Sequence, residues 1–217
     1  MTKRSATASR ILEASRKLFN AKGYTATSVT EIAASLGMSQ GNLTYHFPTK
    51  QALAMAVEDD LLLTMQRRRA NLVPGTLAED YLEQVLFGLE VTWRFRFVMR
   101  DHRHYAGGPI GHRPDSQLKA DLGDLTTLLK RAKDEGLFVE PEIDLDSLAR
   151  SLWIVSRYWI DYLAEVEALE QPSWEDQERG VRQHLAILLP RLRASARREF
   201  EEALERRQRT TMADLVS

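Results

Sequence analysis

Residues 28–47, SVTEIAASLGMSQGNLTYHF, constrain the fold more tightly than any other stretch of this chain. Ser28 and Glu31 have the spacing of a capping box, in which a hydroxyl takes a first-turn amide and a carboxylate reaches back. Val29, Ile32, Ala33 and Leu36 then share one face at the spacing of a short amphipathic helix. Gly37 supplies the left-handed residue that ends such a helix, and Ser39 caps the next. In that second helix Leu43 and Phe47 point inward. Gln40, Asn42 and Thr44 stay outside, and Tyr45 and His46 lie near its end. Gly41 costs about 1 kcal/mol against alanine in a helix, a choice that makes sense where a backbone must approach something closely. Two short helices around a tight turn, the second of them polar, are how a helix-turn-helix is built to enter the major groove of DNA.

The flanks add a helix before this stretch and another after it. Arg10 to Lys22 carries Ile11, Leu12, Ala14, Leu18 and Phe19 on one side and ends at Gly23-Tyr24; Phe47-Pro48-Thr49-Lys50 leads into a further helix. In Ile11, Ala14, Leu18, Phe19, Gly23-Tyr24, Thr27-Ser28-Val29, Ile32-Ala33, Leu36-Gly37, Tyr45-His46-Phe47, Lys50 and Leu53 the chain resembles the tetracycline-repressor (TetR) family of bacterial transcription regulators. The resemblance covers roughly the first fifty residues. It implies that the positions of Thr27 or Ser28, Tyr45 and Lys50 contact DNA phosphates, that a four-helix interface joins two copies, and that repression is the usual outcome.

Charge is distributed as a DNA reader requires. Residues 1–50 hold seven cations against two carboxylates, a net +5, which leaves −6 for the rest of a chain of formal charge −1. A basic module on an acidic body fits a DNA-binding part attached to a second function. Lys3 and Arg4 have the charge to follow a phosphate backbone or minor groove; a terminus without fixed structure accounts for them equally. The chain has no cysteine, which excludes disulfides and thiolate sites. It has no apolar stretch long enough for a membrane span and no signal-peptide core, so a cytoplasmic location is expected.

Beyond residue 50 the pattern stays helical. Thr49 caps a helix through Leu53, Val57, Leu61 and Met65, ending near Arg67-Arg68-Arg69. One long helix is expected over about 77–105, broken at Ala106-Gly107-Gly108-Pro109. Another runs from Asp115 or Ser116 to Gly136, and a strongly apolar one from Asp144 or Asp146 through Leu163. Ser173 caps a last long helix kinked at Pro190, with a polar extension over 193–209 and a tail after it. The expected fold is all-α: a three-helix helix-turn-helix DNA-binding domain over 1–50 and a helical effector-binding and dimerisation domain over 51–217.

Candidate site residues follow. Gln40, Asn42 and Thr44 hold donors and acceptors suited to base edges, with Gly41 allowing close approach. Thr27, Ser28, Ser39, Tyr45, His46 and Lys50 suit phosphates, and removing Lys50 should lower the salt slope of binding by about one charge. A homodimer doubles these contacts on a palindromic operator in double-stranded DNA. Helices 145–165 and 174–195 are the expected pairing face, although their apolar residues equally suit one protomer's core. For a small-molecule effector, apolar or anionic, the expected walls are Trp93, Phe97, Trp153, Tyr158, Trp159 and Tyr162; plain core packing explains each of them as well. Arg96, Arg100 and Arg103 form a basic stripe in which one arginine turned inward would hold an anionic group. Pairing of that stripe with Glu140, Glu142, Asp144 and Asp146 explains it equally.

His102, His104 and His112 could suggest a metal site, but the first two diverge on a helix and no cysteine helps, so none is expected. No phosphate-binding glycine loop, nucleophile motif or HExxH is present, so neither enzymatic activity nor a cofactor is expected. The leading expectation is a ligand-responsive dimeric repressor. Its alternatives are a regulator without an effector, and a helical carrier or enzyme whose N-terminal helices are only structural.

Overall fold

A computed structural model describes residues 5–106, 115–169 and 173–216, with the side chains of 115–119, 174, 177 and 208–216 outside the description. Lys3, Arg4, the Gly107–Pro109 break and His112 therefore lie outside the described residues. Among the described residues there are ten α-helices: α1 (Ala6–Lys22), α2 (Val29–Ser35), α3 (Gln40–His46), α4 (Lys50–Ala70), α5 (Leu77–Arg94), α6 (Arg96–Tyr105), α7 (Asp115–Asp134), α8 (Leu145–Glu165), α9 (Trp174–Leu188) and α10 (Ala194–Val216). The β pairing given for the described residues is one isolated antiparallel bridge, Phe138 with Leu192. Among these residues no helix is long and apolar enough to cross a membrane.

Packing divides the chain into two compact units, Met1–Leu72 with Val91–Asp115, and Val73–Glu90 with Ser116–Ser217. In the first, α1 packs on α2, α4 and α6, and α2 on α3. Ile11, Phe19, Ile32, Leu43, Leu53 and Phe97 are fully buried there. The helix starts obey local chemistry: Ser5, Ser28, Ser39 and Thr49 each accept a first-turn amide through the side chain.

The single helix expected over 77–105 is two. It stops at Phe95, whose φ of −118° and ψ of 30° leave the helical path. Side chains of α1 compensate the break. Arg16 Nη1 and Asn20 Nδ2 each donate to the Arg94 carbonyl at 2.8 Å, and Asn20 Oδ1 accepts the Phe97 amide at 3.1 Å. These bonds satisfy backbone groups that a helix end leaves open, which is why no glycine or proline is needed there.

In the second unit α8 packs on α9. Asp144 caps α8, and Ser173 caps α9 in a reciprocal capping box with Asp176. Gly180 permits the close approach: a Cβ there would lie 2.6 Å from Trp159 Cδ1, while the Trp159 indole donates to the Asp176 carbonyl at 2.7 Å. Pro190 marks a stop where a kink was expected. After Leu188 the chain makes a 3-10 turn over Leu189–Arg191 and extends at Leu192, beside Phe138. The Val139 amide donates to the Arg191 carbonyl, and the Arg193 amide to the Leu137 carbonyl. Sheet-like pairing thus replaces the helical bonds that proline cannot make. The polar segment beyond is a separate helix that continues past 209 to Val216.

Candidate DNA interface and second-unit groove

The turn between α2 and α3 is a Schellman motif: the Met38 amide reaches the Ala33 carbonyl at 3.1 Å and the Gly37 amide that of Ala34 at 3.0 Å. Gly37 takes φ +66°, which a side chain would strain. The Ser28 and Ser39 hydroxyls accept the Glu31 and Asn42 amides at 3.1 and 3.2 Å. Glu31 pairs with Lys22, and that hydrogen bond, foremost, holds its carboxyl below the ordinary range.

Helix α3 is anchored by one residue and exposed elsewhere. Leu43 is fully buried, whereas Tyr45 is 85% exposed, its ring edge-on to His46. Gln40, Gly41 and Asn42 are exposed; Thr44 and His46 are half-buried. Thr30 donates to Gln40 Oε1 at 2.7 Å, which fixes the carboxamide and leaves its NH2 end to meet a base edge. The Thr44 hydroxyl donates back to the Gln40 and Gly41 carbonyls. Around Gly41 an added Cβ would meet only Ser39 Oγ, at 3.9 Å, so packing within the protein does not demand glycine.

Two of the expected phosphate contacts are turned inward. Thr27 is 1% exposed, and its hydroxyl donates to the Gly23 carbonyl at 2.8 Å. Lys50 Nζ donates to the carbonyls of Tyr24 at 2.9 Å and Thr27 at 3.0 Å, with Thr25 at 3.4 Å, and lies 4.4 Å from the Tyr24 ring centroid. An ammonium has three donors, and these carbonyls take all of them.

The expected effector walls are divided between the two units. Trp93, Arg96, Phe97 and Arg100 belong to the first unit; Trp153, Tyr158, Trp159 and Tyr162 belong to the second. Phe97 is fully buried core against Phe19 and Tyr105, with centroids 5.0 and 5.9 Å away. Arg96 is half-buried over the Trp93 ring at 3.9 Å and donates to the Trp93 carbonyl at 3.1 Å. Burial lowers its pKa, and the charges of Arg100 and Arg16 lower it further. Arg100 pairs with Asp101 at 3.0 Å, and Arg103 is exposed.

In the second unit, Tyr158, Trp159 and Tyr162 line a groove of about 690 Å³ with Ile154, Val155 and Ile187 of the same two helices, α8 and α9. Trp159 and Tyr162 stack at 5.2 Å, and Arg179 at the groove holds Glu167 at 2.7 Å and Asp176 at 2.8 Å. Trp153 is half-buried on α8. Deeper, His184 bridges Tyr81 Oη at 2.7 Å and Ser156 Oγ at 2.8 Å. Burial lowers its pKa to about 4, against a hydrogen bond to the Leu152 backbone that raises it. No group of three His, Asp or Glu that would hold a metal occurs among the described residues.

Asp101, Asn20 and Glu58, which with Arg100 brace the first unit, are absent from the expected site. Two sequence signals point to them: an acid within a basic run at Asp101, and an asparagine near the end of an otherwise amphipathic α1.

A capped helix-turn-helix with an exposed polar second helix, joined to a second helical unit, defines a DNA-binding regulator. The chain belongs to the TetR family of bacterial transcriptional regulators: the family model for bacterial regulatory proteins of the tetR family matches residues 11–57, and that for the bacterial transcriptional repressor matches 59–200. It is a DNA-binding transcriptional regulator. Among its relatives is the HTH-type transcriptional regulator RutR of Escherichia coli, 27% identical over 174 residues, covering 77% of this chain and 80% of that one. A TetR-family regulator from Marinobacter aquaeolei is similar in structure, with a TM-score of 0.70 at 25% identity over 94% of this chain and 98% of the other. A γ-butyrolactone receptor shares the fold, with a TM-score of 0.66 at 20% identity over 94% and 97%.

Proposed function

We propose that residues 1–50, braced by α4 and α6, read a palindromic operator, and that residues 51–217 pair two copies and sense a small molecule. The supporting observation is α3 itself: one leucine buried, and the opposite face polar and open. In this reading Gln40 and Asn42 meet base edges, the Gly41 backbone approaches the groove floor, and Thr44 lines the approach. Tyr45, His46 and the capped first turns at Ser28 and Ser39 meet phosphates. The α8–α9 face pairs with its copy, placing two reading heads on half-sites about 34 Å or more apart.

Repression follows if the effector favours a state whose heads no longer fit the operator; DNA then weakens effector binding by the same factor. The effector belongs in the second unit. Its chemistry is not carried over from similar folds, which include a γ-butyrolactone receptor and a regulator in complex with choline. The reading places the protein in the cytoplasm, beside its operator.

Selection of bound fragments from genomic DNA tests it. Recovered fragments should share one palindrome. In mobility-shift titrations, Asn42→Ala should weaken that site by roughly 1–3 kcal/mol relative to other sequences, and Tyr45→Ala should weaken all sequences alike. Fragments without a shared palindrome, or variants that bind as wild type, contradict the assignment.

A further inference from the structure

The segment Gly23–Thr27 enters α2 and sets the position of Ser28. Backbone bonding holds little of it, and side chains from distant positions hold the rest. The Tyr24 amide donates to Asp101 Oδ2 at 2.8 Å, across 77 residues of sequence. The Tyr24 carbonyl accepts Lys50 Nζ at 2.9 Å, across 26 residues, and the same ammonium takes the Thr27 carbonyl at 3.0 Å. Both backbone groups of one turn residue are thus tied to charged side chains.

These ties are themselves anchored. Asp101 is 6% exposed, and a carboxylate that deep is tolerated only when paired. Arg100 supplies the pair through Nε at 3.0 Å and Nη2 at 3.1 Å, and Nη2 also reaches the Phe19 carbonyl at 3.0 Å at the end of α1. The Tyr24 ring rests on Phe19 and Tyr105, with centroids 5.7 and 5.4 Å away. Tyr105 in turn takes Gln51 Nε2 on its carbonyl at 2.7 Å and gives its hydroxyl to Glu58 at 3.1 Å.

We infer that Asp101 is a positioning residue for DNA binding: it holds the Gly23–Thr27 turn at the angle that α2 and α3 need and does not itself touch the duplex. Asp101 lies outside the segment 11–57 matched by the DNA-binding family model, so the reading head is completed by a residue from α6. A residue that acts through the turn changes affinity without changing how many phosphate counterions are released. A residue that contacts phosphate changes both.

The test uses the full-length protein and a short duplex that the wild type recovers from a random-sequence pool, with dissociation constants measured by fluorescence anisotropy over a salt series. Asp101→Ala should bind about tenfold more weakly. Asp101→Asn, which keeps an oxygen for the Tyr24 amide, should recover most of that loss. Both variants should keep the wild-type salt slope. An Asp101→Ala salt slope changed by about one charge, an Asp101→Ala variant with wild-type affinity, or an Asp101→Asn variant as weak as the alanine overturns the inference. Hydrogen exchange on the wild type supplies a test free of folding effects. The Tyr24 amide should exchange as slowly as amides inside α2, and rapid exchange there overturns it equally.

Discussion

Two helical surfaces of this molecule are left open, and they differ in kind. On α3 the exposed groups are Gln40, Gly41, Asn42 and Tyr45, held out by one buried leucine. On α8 they are Ile154, Tyr158 and Tyr162, with Tyr158 51% exposed, beside a groove shared with α9. The α3 surface keeps its polar groups hydrated and carries a helix-weakening glycine, so it is built for a polar, hydrogen-bonding partner. The α8–α9 surface leaves apolar area in water and rims it with charge, the pattern of an interface with protein. The proposed function matches each open surface to a partner of its own chemistry: the duplex for one, a second copy for the other.

The largest expected effect breaks the apolar surface. Ile154→Asp combined with Tyr158→Asp should weaken dimerisation by roughly 4 kcal/mol, because two buried charges would face an apolar partner. Sedimentation velocity should show monomer, and operator affinity should fall with it. A variant that stays dimeric would place the pairing face elsewhere.

Next comes pH. His184 lies in the second unit with a pKa of about 4, below the ordinary 6.5 of its unfolded state. The unfolded chain therefore binds a proton that the folded one refuses. Stability is intact above pH 6.5 and falls as pH drops toward 4, by about 3 kcal/mol in all. Acid unfolding followed by hydrogen exchange should loosen α9 across that window, and His184→Gln should flatten the dependence. An unchanged pH profile in that variant would remove His184 as the cause.

The smallest effect sharpens the polar side. Gly41→Ala has room for its methyl group and should stabilise the protein by up to about 1 kcal/mol. The same change should weaken operator binding, because the methyl stands where DNA approaches. Thermal unfolding and anisotropy measure the two effects separately; a variant gaining stability at no loss of affinity would show that no backbone approach occurs there.

Much of the first unit is readable from residue order alone. Ser28, Gly37, Ser39 and Thr49 start and stop helices through bonds to neighbours three to five residues away, and such bonds are local properties of sequence. The burial of Leu43 and exposure of Tyr45 follow from helical periodicity over seven residues. The break at Phe95 was not readable, because its compensation comes from Arg16 and Asn20 on another helix. Nor was the fate of Pro190, where pairing with Phe138 decided between a kink and a stop.

Lys50 marks the limit most clearly. From the sequence it is a cation at a helix start beside a DNA-reading element, and a phosphate contact is the natural reading. Three carbonyls of the Gly23–Thr27 segment, over twenty residues earlier, take its donors in this structure, which residue order alone does not reveal. Sequence alone determined which segments are helical, where they are capped and which short helix is polar, since those depend on interactions within a few residues. Tertiary structure alone decided which charged side chains face water and which face backbone, since a long flexible side chain binds whatever acceptor the fold brings within its reach.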